Sequence, residues 1–120
     1  MGLTLGELEA ELRALLVPYE DELETAEIYG MEVLRRPGAS AHDWFAGVQA
    51  AGSTIKFSFL PMHARPELLA GISPALLKRR TGASVFKLVE GDDALLEELD
   101  LVVARGFDVY MAREGDRRPA

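Results

Sequence analysis

Apolar and polar residues alternate most regularly between Trp44 and Met62, in WFAGVQAAGSTIKFSFLPM. Apolar side chains fall at Trp44, Ala46, Val48 and Ala50, then again at Ile55, Phe57 and Phe59. A period of two places each set on one face of a pleated strand. Gly52-Ser53 between them is a turn dipeptide, so the stretch predicts a β-hairpin over 44–50 and 54–61.

The flanking segments carry the longer helical period. Thr4 followed three residues on by Glu7 is a capping box, and Leu5, Leu8, Leu12, Leu15, Leu16, Tyr19 and Leu23 recur on one helical face. Pro18 interrupts this run, but the apolar stripe continues in phase, which predicts a kinked helix ending at Gly30. Near the other end Asp92 is placed to cap a helix whose stripe is Leu95, Leu99, Val102, Val103, Phe107 and Tyr110. Gly106 inside it is expected to bring that helix close to the sheet. Residues 113–120 are expected to fray as a polar tail.

Between these parts, Met31 to Arg35 predicts a strand and Arg36 to Ser40 a turn. Pro66 and Ser73-Pro74 open short helical turns. Ser84 to Val89 predicts a strand with Val85 and Lys87 on one face and Phe86 and Leu88 on the other. Helix, two or three strands, a short helical connection, strand and helix together predict one α+β domain over 1–120. In it, the N- and C-terminal helices cover one face of an antiparallel sheet.

Composition narrows the function classes. The chain has no cysteine, which excludes disulfides, thiolate catalysis and thiolate metal sites and points to the cytoplasm. No apolar run approaches the roughly 20 residues of a membrane span, and the acidic start MGLTLGELEAEL resembles neither a signal nor a transit peptide. Asparagine is absent and Gln49 is the single glutamine, a bias that a thermophilic source or a GC-rich genome would each produce. Net charge is −7, with nine acids against Arg13 alone over residues 7–32. Residues 90–114 hold eight acids against Arg105 and Arg113, while residues 65–87 carry Arg65, Lys78, Arg79, Arg80 and Lys87 against Glu67. Acidic ends around a basic middle argue against a nucleic-acid-binding protein.

Four groups of residues are candidates for chemistry. Lys56 and Ser58, with Phe45 and Gln49 from the neighbouring strand, are expected to line the sheet face the helices leave open. There a lysine among aromatic and small polar groups would receive an anionic ligand or an acidic segment of a partner. On a helix, Glu20, Glu24 and Glu27 fall within about 60° of one another, and clustered carboxylates can hold a hard cation weakly. His42, His63 and Asp43 flank the hairpin ends and would make a two-histidine, one-carboxylate site, although no H-x-x-H or H-E-x-x-H spacing supports it. Lys78-Arg79-Arg80 is accounted for as positive charge at a helix end. No nucleophile elbow, P-loop or dinucleotide fingerprint is present, so an enzyme pocket between the sheet and residues 63–80 has no motif behind it.

The run Tyr29-Gly30-Met31, Trp44-Phe45-Ala46-Gly47, Ile55-Lys56-Phe57-Ser58-Phe59, Phe86 and the closing leucine-rich helix resembles the YdhG-like domains over about residues 8–110. These are small bacterial proteins, mostly of unknown function and frataxin-like in architecture. The resemblance implies two terminal helices on one face of an antiparallel sheet. It also implies an alternative function, a frataxin-like iron carrier using Glu20, Glu24 and Glu27. The connection HARPELLAGISPALLKRR departs from the shortest members. The leading expectation is a small cytoplasmic binding module, non-enzymatic and free of a required cofactor, that uses the open sheet face. A homodimer through a sheet edge or face is a further expectation.

Overall fold

The structure, a computed structural model, describes residues 4–28, 30–39, 43–82, 84–89 and 93–116. Helix α1 (Leu5–Leu16) begins at the expected capping box: Glu7 N–H donates to Thr4 Oγ1 at 3.1 Å, and Thr4 N–H donates to Glu7 Oε1 at 2.9 Å. It buries Leu8, Leu12 and Leu16.

The kinked helix expected to reach Gly30 instead stops at Leu16. Val17 N–H bonds Ala14 O, Pro18 sits in a 3-10 turn over Val17–Tyr19, and the chain then extends as β1 (Glu24–Ile28). Proline has no N–H to continue the helical ladder, so the chain leaves the helix where that bond is lost. Tyr19 and Leu23, which kept the helical spacing, pack from the turn instead, and Leu23 is buried. Gly30 adopts φ 78°, as predicted for a helix stop, but serves the connection between β1 and β2 (Met31–Arg35). A left-handed glycine suits a hairpin as well as a helix end, so the residue alone did not distinguish them.

The expected hairpin forms as β3 (Ala46–Ala51) and β4 (Thr54–Phe59), with Gly52 at φ 63° between them. Two helical pieces follow, α2 (Pro61–Ala64) and α3 (Pro74–Leu77), with a 3-10 turn over Pro66–Leu69 between them. Ser73 caps α3, accepting Leu76 N–H at 3.3 Å. Strand β5 (Val85–Leu88) and helix α4 (Asp93–Asp116) complete the order. The Asp92 cap lies outside the described residues, and α4 continues through the first part of the expected tail, to Asp116.

All five strands form one antiparallel sheet in the order β1-β2-β3-β4-β5. Register then assigns the faces. Ala46 pairs with Phe59, Val48 with Phe57 and Ala50 with Ile55, while Phe57 pairs with Phe86 and Ile55 with Leu88. That face packs on Leu8, Leu12 and Leu16 of α1 and on Leu99, Val102, Val103 and Tyr110 of α4 in one buried cluster. The α+β architecture, with both long helices on one sheet face, is the one expected. Gly106 makes the close approach expected of it, because a β-carbon built there would overlap the ring of Phe59.

The opposite face carries Gly47 against Ser58, Gln49 against Lys56, Ser58 against Val85 and Lys56 against Lys87. One end of this face is closed by its own side chains. Ile28, Val33 and Ser58 are buried, and Ser58 Oγ lies 3.5 Å from Met31 Sδ across the level of Gly47. A side chain at Gly47 would strike Val33 and the Glu32 carbonyl, so glycine is required where β2 crosses β3. Among the described residues, no helix is long and apolar enough to cross a membrane.

Candidate functional site

The expected sheet-face group is partly assembled. Lys56 is exposed, Gln49 half-buried beside it, and Ser58 almost fully buried one step along β4. Phe45 is not there. It precedes the regular β3 ladder, held by its N–H to Leu34 O at 2.7 Å and its carbonyl to Leu60 N–H at 3.1 Å. Its side chain therefore does not follow the strand's alternation. Phe45 is wholly buried on the helix side, with ring centroids 5.6 Å from Tyr19, 5.5 Å from Phe59 and 5.6 Å from Phe107.

A residue that sequence reasoning did not join to the site stands beside Lys56 instead. Lys87 of β5 pairs in register with Lys56 of β4, and both are exposed. Two of the chain's three lysines thus stand side by side on the face without helices. The ion pairs among the described residues are Arg13–Glu9, Arg35–Glu24, Arg36–Asp43 and Arg65–Glu67, and none involves Lys56 or Lys87. Like charges directly opposed across a strand pair cost roughly 0.2–1 kcal/mol. The alternation of Val85 to Leu88 correctly gave Lys87's face, but nothing in the sequence put β5 next to β4.

The acidic group is dispersed. Glu20 follows the 3-10 turn, and Glu24 and Glu27 lie three apart on a strand, which places them on opposite faces. Glu24 Oε2 accepts from Arg35 Nε at 2.9 Å. The shared helical face requires a helix that ended at Leu16. Among the described residues, no group of three histidines or acids is placed to hold a metal ion.

Asp43, considered with two histidines, is buried in an ion pair with Arg36. His63 is exposed on α2, and His42 lies outside the described residues. Lys78 to Arg80 follow α3, as a helix-end reading requires, and then run along the outer edge of β5. There Lys87 N–H donates to Arg79 O at 2.7 Å and Thr81 N–H to Val85 O at 2.9 Å.

A cleft of about 240 Å³ lies between the end of α1 and strands β1 to β3. Arg13, Leu16, Glu20, Thr25, Glu32 and Val48 contribute to its lining, and Arg13 Nη2 donates to Val48 O at 3.3 Å. Tyr19 sits beyond it under α4, where burial first, and then the charges of Asp100 and Asp108, raise its phenol above the ordinary value.

No family model, curated protein or solved structure matches this chain.

Proposed function

We propose that this protein is a non-enzymatic binding module whose uncovered sheet face receives an acidic segment of a partner protein between Lys56 and Lys87. The observation that carries this reading is the direct pairing of two exposed lysines in register, without an acidic partner among the described residues. In a chain of net charge −7, two adjacent ammonium groups on a sheet are a local reversal of sign. Such an arrangement steers and orients an anionic partner more than it stabilises the fold. Half-buried Gln49 adds an amide that can donate or accept beside them. A pleated face is shallow, whereas small-ligand sites are concave, which favours a protein segment. A cytoplasmic, cysteine-free setting and a YdhG-like, frataxin-like lineage are compatible with this reading. The iron-carrier alternative has lost the helical face that motivated it.

The test is binding of an oligoglutamate peptide, measured by calorimetry for the wild type and for Lys56→Glu, Lys87→Glu and the double variant. Each single substitution is expected to weaken binding, and the double variant to abolish it with the thermal transition unchanged. Equal binding by wild type and double variant contradicts the proposal.

A further inference from the structure

The two edges of the sheet are treated differently. The outer side of β5 is closed by residues 79–81, through the two backbone hydrogen bonds to Arg79 and Thr81 and a bridge between Arg80 and Phe86. No such segment lies along the outer side of β1 among the described residues. An uncovered edge presents N–H and C=O groups ready to pair with another strand.

We infer that β1 pairs antiparallel with β1 of a second copy of this chain, joining two five-stranded sheets into one. The partner and register follow from the backbone. Ile28 pairs with Met31 across a two-residue connection, and a connection of that length makes its flanking pair a hydrogen-bonded one. Alternation then turns the N–H and C=O of Ile28, Ala26 and Glu24 towards β2, and those of Thr25 and Glu27 outwards.

A two-fold register centred on Ala26 sets Thr25 of each copy against Glu27 of the other. All four outward residues then exchange hydrogen bonds, giving four in total. The Thr25 hydroxyl also lies across from the Glu27 carboxylate, to which it can donate. Ala26 meets its symmetry mate at the closely spaced position, where a small side chain fits. Glu24, held by Arg35, faces Ile28, so no acid opposes an acid. Moving the axis to Glu27 would oppose two glutamates, and moving it to Thr25 would set Glu27 against Leu23, which lies outside the strand. Only the Ala26-centred register engages both outward residues without like charges face to face.

The net charge of −7 on each copy repels at longer range, so added salt is expected to strengthen the dimer. This inference does not depend on the lysine face, which lies on other strands.

The experiment is sedimentation velocity on the full chain, Glu27→Pro and Glu27→Ala, with cross-linking of Ala26→Cys. A wild-type mass of twice 13.1 kDa is expected. Proline at 27 removes an outward N–H that the β1–β2 pairing does not use, so it is expected to weaken association about tenfold or more, with the amide spectrum of the monomer folded. Glu27→Ala retains the dimer. Because the chain has no cysteine, Ala26→Cys is expected to form a disulfide dimer under glutathione buffer, while Gln49→Cys does not. A monomeric wild type, a dimer unaffected by Glu27→Pro, or equal cross-linking at 26 and 49 overturns the inference.

Discussion

The backbone N–H of Arg36 donates to the Tyr110 hydroxyl at 3.0 Å, and the Arg36 guanidinium donates to the Tyr110 carbonyl oxygen at 2.7 Å. The same hydroxyl donates onward to the Asp43 carbonyl at 3.2 Å, and Arg36 pairs with the Asp43 carboxylate. Arg36 Cζ also lies 4.5 Å from the centre of the Tyr110 ring. The residue after β2 is thereby tied to the far half of α4 through a buried polar junction. Removing one side of a buried ion pair leaves an uncompensated charge, whereas replacing both sides by apolar groups does not. Arg36→Met is therefore expected to destabilise the fold by about 3–5 kcal/mol in denaturant unfolding. Arg36→Met with Asp43→Leu is expected to lose less than the single variant. Equal or greater loss in the double variant contradicts this account of the junction.

Tyr110→Phe removes only the hydroxyl and leaves the Arg36 N–H and the Asp43 carbonyl without that bond. A loss of about 1–3 kcal/mol is expected from a buried group left unsatisfied. A change near zero would mean that another partner replaces the hydroxyl.

The Gly106–Phe59 contact opposes helix propensity to packing. Alanine in a helix interior gains roughly 1 kcal/mol over glycine. Against this, a methyl group at 106 overlaps the Phe59 ring, and overpacking costs about 1–3 kcal/mol. Gly106→Ala is expected to lower the thermal midpoint, and Gly106→Ala with Phe59→Leu to recover part of it. A stabilised single variant would contradict the close packing.

Much of this fold was legible in local patterns, and the failures share a cause. Thr4 and Glu7, the strand alternation from Ala46 to Phe59, and the Leu99-to-Tyr110 stripe each depend on neighbours a few residues away. Periodicity reads such relationships directly. Strand β1 was hidden because Tyr19 and Leu23 kept the helical phase past Pro18, although Thr25 and Ile28 are β-branched residues that suit a strand. That single misreading created the acidic helical face of Glu20, Glu24 and Glu27. Phe45 was misplaced because alternation was extended one residue beyond the ladder. Lys87 and the Arg36–Tyr110 junction join residues 31 and 74 positions apart, and no local pattern encodes such pairings.

Tyr19 gives the account a pH dependence. Its folded-state pKa is raised above 10.0, with burial the largest cause and Asp100 and Asp108 next. Above pH 10 the unfolded chain releases this proton before the folded one does, so stability falls as pH rises. The contribution is complete below pH 10 and is lost as pH passes through the folded value. Phenolate absorbance should titrate late for Tyr19, and Tyr19→Phe should flatten the alkaline decline in stability. An unchanged decline in Tyr19→Phe would assign it to other groups.

The dispersal of the acidic residues also has a consequence. Anaerobic titration with ferrous iron is expected to give the same weak response in the wild type and in a Glu20→Gln, Glu24→Gln, Glu27→Gln variant. Saturable amide shifts confined to residues 20–32 and lost in that variant would restore the iron-carrier reading.

The proposed binding site is the lysine pair on the uncovered sheet face. Its most direct test is an amide chemical-shift titration of the wild-type chain with oligoglutamate. The largest shifts are expected at Gln49, Lys56, Ser58, Val85 and Lys87, with α1 and α4 unchanged and the shifts suppressed by salt. Shifts centred instead on the cleft around Arg13 and Thr25, or none at saturating peptide, would contradict it.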